Sequence, residues 1–351
     1  MRVGLSLLTL VPGEVGGAET SARGLARGLA EVGTLEYAAF TPPAAPGAGE
    51  GLPEVAVPEY RDARTVSERL LAMTLATLRP GRLQRRFHGL DAVHYPLTIA
   101  LPRLDLPTAV TVHDLQHLDH PELFSRAERL WRARTHERSA RGADAVVVPS
   151  QFVRRRAIEL LGLPPERVHA IPWGVDHERF RPGAEEREPF LLYPARPWPH
   201  KNHERLFQAF GLLRQERPEL RLVLTGGGHD GRPVPDGVEV RGLVPADELA
   251  SLYRRTACLV FPSRYEGFGQ PPLEAMASAA PVAASNIPAV AEIAGDAAAL
   301  FDPEDPEDIA AVVSGVLDAP NRFSAAGPGQ ARRFTWAETA RRHEIVYAGL
   351  T

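Results

Sequence analysis

The sequence predicts an α/β protein with two domains, each built on a mostly parallel sheet. Short apolar runs, typical of buried strands, alternate with stretches of helical spacing, which is the pattern of βαβ units covered on both faces. The chain has 351 residues, enough for two domains that each bury their own core. A charged, proline-containing segment, residues 181–189, separates two such series and is the predicted boundary.

The first series begins with a predicted strand at 3–10 and a helix at 20–31. Between them lies PGEVGGAE, a glycine-rich turn in which Gly16 and Gly17 leave backbone N–H groups free to bind an anion. It is not a G-x-G-x-x-G fingerprint, so a nicotinamide cofactor is disfavoured. The remaining strands predicted in this series are 37–40, 54–57, 92–95, 108–112 and 145–149.

Composition excludes several classes of protein. The net charge of −4 argues against nucleic acid as the main partner. The single cysteine, Cys258, excludes a disulfide within the chain and a cysteine-rich zinc site. No apolar run reaches the ~18 residues that a membrane span needs. We therefore expect a cytoplasmic protein that is at most peripheral to the inner face of a membrane.

Residues 70–86 are first apolar and then rich in arginine, LLAMTLATLRPGRLQRRF from residue 70. Such a stretch can lie on an anionic membrane and collect a lipid-linked acceptor. It can equally be a helix that packs on the core and presents a solvated basic side. The arginines here and in 126–141 hint at an anionic acceptor or a membrane, and the sequence leaves both interpretations open.

The segment VTVHDLQHLDHPELF, residues 110–124, follows a predicted strand end, where ligands bind in open α/β sheets. Its histidines and aspartates suggest a metal site, but neither HExxH nor a cysteine ligand accompanies them. We therefore predict no metal at this position. His113, directly after the strand, is the candidate functional residue, and a buried structural histidine is the alternative.

The second series begins with a strand at 190–193, followed by PARPWPHKNHERL. Arg196 and Lys201 thus follow a strand end and precede a helix. Lys201 is the only lysine among 40 basic residues, which singles it out for a task that arginine performs less well, such as placing a compact charge on a phosphate. Further strands are predicted at 221–225 and 238–242.

The most informative stretch is FPSRYEGFGQPPLEAMA, residues 261–277. It leaves a buried strand at 257–261, crosses a turn with Gly267 and Gly269, and enters a helix whose first turn holds two prolines. Glu266 is predicted on the loop and Glu274 in the first helical turn. Glycine N–H groups at a helix N-terminus bind a diphosphate, and flanking carboxylates accept hydrogen bonds from sugar hydroxyls.

This stretch resembles the E-x7-E signature of retaining glycosyltransferases of the GT-B fold, specifically family 4. The resemblance extends over nearly the whole chain, through GGAE, the HD segment, IPWGVD, the R-x4-K pair, Gly226–Gly228 and PVAASNIPAVAE. It implies two Rossmann-like domains that face a central cleft. The implied acceptor domain is 1–180 joined by the helix 335–351, and the implied donor domain is 181–334.

The resemblance also implies the roles of individual residues. The implied role of His113 is to orient the sugar and to stabilise an oxocarbenium-like transition state. Arg196 and Lys201 are implied to bind the diphosphate. Glu266 is implied to bind the hydroxyls of the sugar. The implied donor-binding residues are Gly16, Gly17, Gly267, Phe268, Gly269 and Glu274, the last on the ribose. No enzymic nucleophile, cofactor or metal is expected, and no D-x-D triplet of a metal-dependent GT-A enzyme is present.

PWPHKN and SNIP are most similar to mannosyltransferases that use GDP-mannose, with a UDP-hexose as the alternative donor. The acceptor is expected to be a saccharide or a lipid-linked molecule, and nucleic acid is not expected to bind. Two other functions stay open. One is a GT-B sugar-nucleotide epimerase, and the other is a catalytically silent nucleotide-sugar-binding partner subunit.

Overall fold

The computed structural model describes residues 1–13, 16–61, 63, 65–78 and 80–350. The chain forms two compact units. Unit 1 comprises Met1–Gly174 with Thr335–Thr351, and unit 2 comprises Val175–Phe334. Unit 2 begins at Val175, six residues before the predicted start of the second domain at residue 181. No described helix combines the length and the hydropathy that a membrane crossing needs.

Unit 1 is built on a parallel sheet of seven strands in the order β3-β2-β1-β4-β5-β6-β7. The strands are β1 Arg2–Ser6, β2 Glu36–Thr41, β3 Glu54–Ala56, β4 Ala92–Tyr95, β5 Thr108–Thr111, β6 Ala145–Val148 and β7 Val168–Ala170. The predicted first strand was too long at its end. Leu7 and Leu8 are buried, but the chain turns there and Leu10 N–H donates to the Leu7 carbonyl.

The helices of unit 1 cover both faces of this sheet and supply two hydrophobic cores. They are α1 Gly17–Val32, α2 Val66–Leu78, α3 Pro80–Gln84, α4 Gln116–Asp119, α5 Arg126–Arg132, α6 Arg138–Gly142, α7 Gln151–Leu161 and α14 Trp336–Ala348. The basic segment at 70–86 therefore belongs to two helices and a 3₁₀ turn, Arg85–Phe87. Pro80 starts the second helix because it has no N–H to continue the first.

Between α5 and α6, residues Ala133–Glu137 form a π-helical turn. The sequence gives no signal for it. π-Helical turns are rare and occur often at functional sites.

The C-terminal helix α14 packs against α1 and is tied to the sheet of unit 1 by buried polar contacts. His94 on β4 lies 2.7 Å from the Tyr347 hydroxyl and 2.8 Å from the Thr111 hydroxyl. The Thr339 hydroxyl donates to the Pro172 carbonyl at 2.8 Å. Burial lowers the pKa of His94 well below its usual value, so this imidazole is neutral and serves as a structural link.

Unit 2 is built on a parallel sheet of six strands in the order β10-β9-β8-β11-β12-β13. The strands are β8 Glu188–Pro194, β9 Arg221–Thr225, β10 Val238–Gly242, β11 Thr256–Phe261, β12 Val282–Ser285 and β13 Ala299–Phe301. The helices are α8 His203–Glu216, α9 Ala246–Arg255, α10 Gln270–Ala277, α11 Pro288–Ala294, α12 Pro306–Asp318 and α13 Pro320–Ala331.

In each sheet the order of strands reverses at one point. In unit 1, β1 lies between β2 and β4, and in unit 2, β8 lies between β9 and β11. At such a switch point the connections leave in opposite directions, and ligands bind beyond the carboxyl ends of the strands. The segments singled out by the sequence follow β1 and β5 in unit 1, and β8 and β11 in unit 2.

Candidate active site

Lys201 and Glu266 form the centre of the candidate site in unit 2. They follow β8 and β11, which pair side by side, so residues 65 positions apart meet at one edge of the sheet. The Lys201 ammonium lies 2.5 Å from Glu266 Oε1, and their side chains are only 14% and 13% exposed. Because water screens this pair only partly, each charge exerts a strong field on anything bound beside it.

The Lys201 loop is held by its neighbour Asn202. This residue ends the 3₁₀ turn Pro199–Lys201 and adopts a left-handed conformation, φ 60° and ψ 37°. Its buried amide nitrogen donates to the carbonyls of Pro262, at 3.0 Å, and of Pro303, at 2.7 Å. The loop after β8 is thereby fixed to the segments that follow β11 and β13.

We expect Asn202→Ala to lower the free energy of unfolding by about 2 kcal/mol, because two buried carbonyls lose their donor and alanine is strained at positive φ. Chemical denaturation of the variant beside the wild type measures the effect. Asn202→Gly relieves the backbone strain but not the lost hydrogen bonds, and serves as the matched variant. Unchanged stability in both variants would show that the amide does not hold this loop.

The loop after β8 also depends on a close approach of the chain after β9. Gly226 has φ +110°, and a Cβ there would lie 2.9 Å from the Ala195 carbonyl carbon. The backbone before Arg196 can therefore run directly against β9 only because residue 226 has no side chain. Arg196 itself is half-buried, with its guanidinium 5.9 Å from the ring centre of Trp198.

The loop after β11 leads into α10 through Gly269. Its φ of +109° is a conformation that favours glycine, and a Cβ would lie 3.0 Å from Ile293 Cδ1. Phe268 is 2% exposed, and its ring packs edge-on against Phe334. The side chain of Phe268 anchors the loop, so any contact of residue 268 with a donor would come from its backbone.

Glu274 lies in the second turn of α10, and its predicted place in the first turn was wrong. The helix begins at Gln270, ahead of the two prolines, which moves Glu274 to its fifth residue. The carboxyl is 8% exposed and accepts a hydrogen bond from the Tyr253 hydroxyl at 3.0 Å. Burial raises its pKa to about 7, although hydrogen bonds from Tyr253 and Gln270 oppose the shift. Tyr253, on α9, was not identified from the sequence.

In unit 1 the glycine-rich turn after β1 is described from Gly16 onward, since Glu14 and Val15 lie outside the described residues. Gly16 is exposed, has φ 56°, and immediately precedes α1, whose first residue is Gly17. The Glu19 carboxylate accepts from Gly13 N–H at 2.8 Å and from Arg23 at 2.9 Å. Glu19 therefore ties Gly13, at the start of the turn, to the first turn of α1, a role that the sequence analysis did not assign to it.

His113 follows β5 and is oriented by Pro96, which follows the neighbouring strand β4. Its Nε2 lies 2.8 Å from the Pro96 carbonyl, so this nitrogen carries the proton and donates it. The ring packs edge-on against Trp173. Burial lowers the pKa of His113, although nearby Asp114 opposes the shift, and Nδ1 has no hydrogen-bond partner. At neutral pH His113 is thus an uncharged imidazole whose buried Nδ1 carries a lone pair.

The other polar side chains of residues 110–124 do not converge on one point. The Asp114 carboxylate accepts from Gln116 N–H at 3.0 Å, His120 lies 3.2 Å from Glu122, and His117 is buried. Across the described part of the chain, no group of three or more histidine, cysteine, aspartate or glutamate side chains is placed to hold a metal ion.

Comparison with known proteins assigns the chain to a family. The family model described as Glycosyltransferase Family 4 matches residues 15–179 of the sequence. The family model described as Glycosyl transferases group 1 matches residues 175–331. The D-inositol 3-phosphate glycosyltransferase of Thermobispora bispora is 31% identical, over 78% of this chain and 72% of that protein. This chain belongs to glycosyltransferase family 4.

The chain is also similar in sequence to a mannosyltransferase and in fold to a sucrose-phosphate synthase. The O-antigen chain mannosyltransferase B of Escherichia coli is 29% identical, over 70% of this chain and 71% of that protein. The sucrose-phosphate synthase of Thermosynechococcus elongatus is 21% identical, with a TM-score of 0.77 over 100% of this chain and 99% of that structure. The predicted family and the GT-B fold class, two Rossmann-like domains with parallel sheets, are confirmed.

Proposed function

We propose that this glycosyltransferase moves a hexose from a nucleotide diphosphate sugar to an acceptor hydroxyl, with retention of the anomeric configuration and without a metal ion. The observation that carries the proposal is the shielded pair of Lys201 and Glu266 at the carboxyl edge of the sheet in unit 2. It joins a cation suited to a phosphate with a carboxylate suited to sugar hydroxyls.

The donor's diphosphate would be bound by Arg196, by Lys201 and by backbone N–H groups from Gly267 to Gly269 at the start of α10. Two cations and a helix N-terminus offset the charge of the diphosphate and stabilise the additional charge that develops as it leaves. Lys201 would then share its charge between the phosphate and Glu266. Glu266 would accept hydrogen bonds from the sugar, and Glu274 from the ribose.

For the chemical step, the bond between the anomeric carbon and the phosphate oxygen breaks, and the acceptor oxygen bonds to that carbon on the same face. The acceptor's proton passes to the leaving phosphate, so no enzymic nucleophile is needed. The role proposed for His113 is to orient the sugar and to stabilise the oxocarbenium-like transition state. Its fixed tautomer supports this role, because Nδ1 presents a lone pair and not a positive charge.

GDP-mannose is the donor we favour. The similarity to a mannosyltransferase over 70% of the chain and the PWPHKN loop support mannose, and a UDP-hexose is the alternative.

Two alternative functions predict different outcomes. An epimerase would alter the donor without an acceptor. A silent partner subunit would bind the donor and release no nucleotide.

The test is release of nucleoside diphosphate from GDP-, UDP- and ADP-sugars, with a chelator present, first without acceptor and then with a panel of saccharide and lipid-linked acceptors. We expect slow hydrolysis of one donor alone, a higher rate with one acceptor, and a product whose NMR coupling shows retention. Donor binding without release would favour the silent subunit, and epimerised donor would favour the isomerase. Activity that vanishes with the chelator would contradict metal independence.

We also propose that unit 1 contacts a membrane through α2. Four leucines of this helix are at least 40% exposed, namely Leu70, Leu71, Leu75 and Leu78. Exposed arginines follow at 82, 85 and 86, with Arg86 paired to Glu59. An apolar helix face beside basic residues fits an anionic lipid surface. Co-flotation with anionic vesicles, lost in Leu71→Ser with Leu75→Ser, is the expected result, and equal flotation of both proteins would contradict it.

A further inference from the structure

Unit 1 contains a basic pocket of 360 Å³, a volume within the range of small-molecule sites. Three exposed arginines line it, Arg103, Arg138 and Arg141, and its buried lining residues include Tyr95 and Ser139. We define these five residues as the arginine pocket. It lies between the chain that connects β4 to β5 and the helix α6.

The arginine pocket is remote from the carboxyl ends of the strands, where ligands of such sheets bind. Thr108, the first residue of β5, and Gly142, the last residue of α6, both line it. His113 follows the opposite end of β5, and five residues of extended chain span about 16 Å. A ligand in the arginine pocket would therefore be neither the donor nor an acceptor placed beside His113.

Positive charge in the arginine pocket is not balanced locally. None of the described residues that line the pocket is acidic. Arg103 and Arg138 form no ion pair with any residue that the structure describes. Burial, and then repulsion by Arg138, lower the pKa of the Arg103 guanidinium. An anion bound beside both guanidiniums would relieve this repulsion.

Two carboxylates close to the pocket are already engaged. Glu137 pairs with Arg141 at 3.0 Å, and Asp144 accepts a hydrogen bond from Thr108 N–H at 2.8 Å. Neither carboxylate lines the pocket, so neither takes the place of a ligand. Arg103 and Arg138 are thus the two guanidiniums that a bound anion would neutralise first.

The backbone that carries the arginines is held in place by hydrogen bonds. The Gln84 amide donates to the Arg103 carbonyl at 2.8 Å. Ala100 N–H donates to Ser139 Oγ at 3.0 Å, which joins the chain before Arg103 to the helix that carries Arg138. The two sides of the pocket are therefore positioned before a ligand arrives, and less order has to be created on binding.

The chemistry of the arginine pocket selects a small anion with several oxygens. Guanidinium groups are planar forks whose N–H donors match phosphate and carboxylate oxygens in pairs. Three of them around one pocket favour a ligand with more than one negative charge. Ala100 and Leu104 also line the pocket and offer apolar contact to the carbon skeleton of such a ligand.

A short series of contacts connects the arginine pocket to the segment that contains His113. Arg141 is paired with Glu137, the last residue of the π-helical turn, and Glu137 Oε1 lies 3.6 Å from His117 Nε2. His117 belongs to α4, which follows His113 in the chain. An anion that attracts Arg141 would compete with Glu137 and change the charge that acts on His117.

We propose that the arginine pocket binds a small multivalent anion, either a phosphate compound or a polycarboxylate, as an effector that is not a substrate. The binding site is independent of the proposed function. The effect of the anion on the reaction rate rests on that function, because it is measured as hydrolysis of the donor.

The first experiment is equilibrium dialysis of the full chain with labelled inorganic phosphate at constant ionic strength, so that screening of the charges does not change. Arg103→Gln and Arg138→Gln each remove a charged donor, and each should weaken phosphate binding by about tenfold or more. Arg103→Lys keeps the charge but not the fork and should lie between Arg103→Gln and the wild type. Arg129→Gln is the matched control, because Arg129 is exposed on α5 and does not line the pocket.

Lys201→Ala separates the arginine pocket from the proposed diphosphate site. Phosphate that stays bound in Lys201→Ala, and is lost when Arg103→Gln is added, would place the anion in the pocket. Phosphate binding that is lost in Lys201→Ala alone, or that is equal in the wild type, Arg103→Gln and Arg138→Gln, would overturn the proposal. Failure of both phosphate and citrate to bind the wild type would also overturn it.

Competition with citrate distinguishes the two sources of the anion. Citrate that displaces labelled phosphate at lower concentration than unlabelled phosphate does would indicate a polycarboxylate, and the reverse order would indicate a phosphate compound. Both results support the pocket if Arg103→Gln weakens them.

The effector role is tested by donor hydrolysis at saturating donor, with and without the anion that binds more tightly. We expect the anion to change the rate in the wild type and in Arg129→Gln, and we expect this change to be lost in Arg103→Gln. A rate that the bound anion leaves unchanged in the wild type would contradict the effector role. A wild type that hydrolyses no donor would contradict the proposed function and leave the dialysis result intact.

Discussion

Replacing Lys201 with alanine is expected to lower kcat/KM by about 30- to 1000-fold, equivalent to ~2–4 kcal/mol of transition-state stabilisation. Lys201 is 14% exposed and lies 2.5 Å from Glu266, so its charge acts in a site from which water is largely excluded. Alanine would remove the cation proposed to face the departing diphosphate and would leave the Glu266 carboxylate uncompensated. Steady-state kinetics with the preferred donor measures the effect.

Two variants separate the role of Lys201 from general damage. Lys201→Arg keeps the charge on a larger, forked group, and we expect it to recover only part of the activity. Arg205→Ala removes a cation on the following helix that pairs with Glu304, and we expect kcat/KM to stay within about twofold of the wild type because exposed pairs contribute little. Wild-type kcat/KM in a folded Lys201→Ala would contradict the proposed diphosphate site.

The buried carboxyl of Glu274 is expected to make stability depend on pH. Its folded-state pKa, about 7, lies above the ordinary value of 4.5 for a glutamate carboxyl. A raised pKa means that the stabilising contribution is complete below pH 4.5 and is lost as pH rises through 7. At 1.36 kcal/mol for each unit, the wild type should lose about 3 kcal/mol relative to Glu274→Gln across this window.

Unfolding by urea at a series of pH values, in the wild type and Glu274→Gln, measures that difference directly. Glutamine keeps an oxygen that can accept from the Tyr253 hydroxyl, so the variant removes the titration and little else. Tyr253→Phe is the companion variant. It removes a donor that favours the charged form, and it should raise the pKa of Glu274 further. A stability difference that does not change between pH 4 and 8 would contradict the raised pKa.

Much of the fold could be predicted from hydrophobic runs and from their alternation with helical spacing. Parallel strands buried on both faces are continuously apolar, so β8, β9 and β11 were identified close to their observed bounds. The same signal failed at residues 7–10, where apolar side chains are buried in a turn. Hydrophobicity reports burial in both places and does not distinguish a strand from the turn that follows it.

The candidate site was predicted in part. The motif spacing indicated Lys201 and Glu266, but not their direct contact, which depends on β8 and β11 being neighbours in the sheet. Glu274 lies in the second turn and not in the predicted first turn, because the helix starts at Gln270, before the prolines. The π-helical turn Ala133–Glu137 could not be predicted, because nothing in the sequence signals it.

Unit 2 is proposed to bind a nucleotide diphosphate sugar through Lys201 and its surroundings. The most direct test is a thermal-shift panel of GDP-, UDP- and ADP-sugars without metal, on the wild type and Lys201→Ala. A ligand at 100 times its dissociation constant should add ~2.7 kcal/mol of stability. We predict that one donor, GDP-mannose, raises the Tm of the wild type and that the shift largely disappears in Lys201→Ala. No shift with any donor, or equal shifts in both proteins, would contradict donor binding at Lys201.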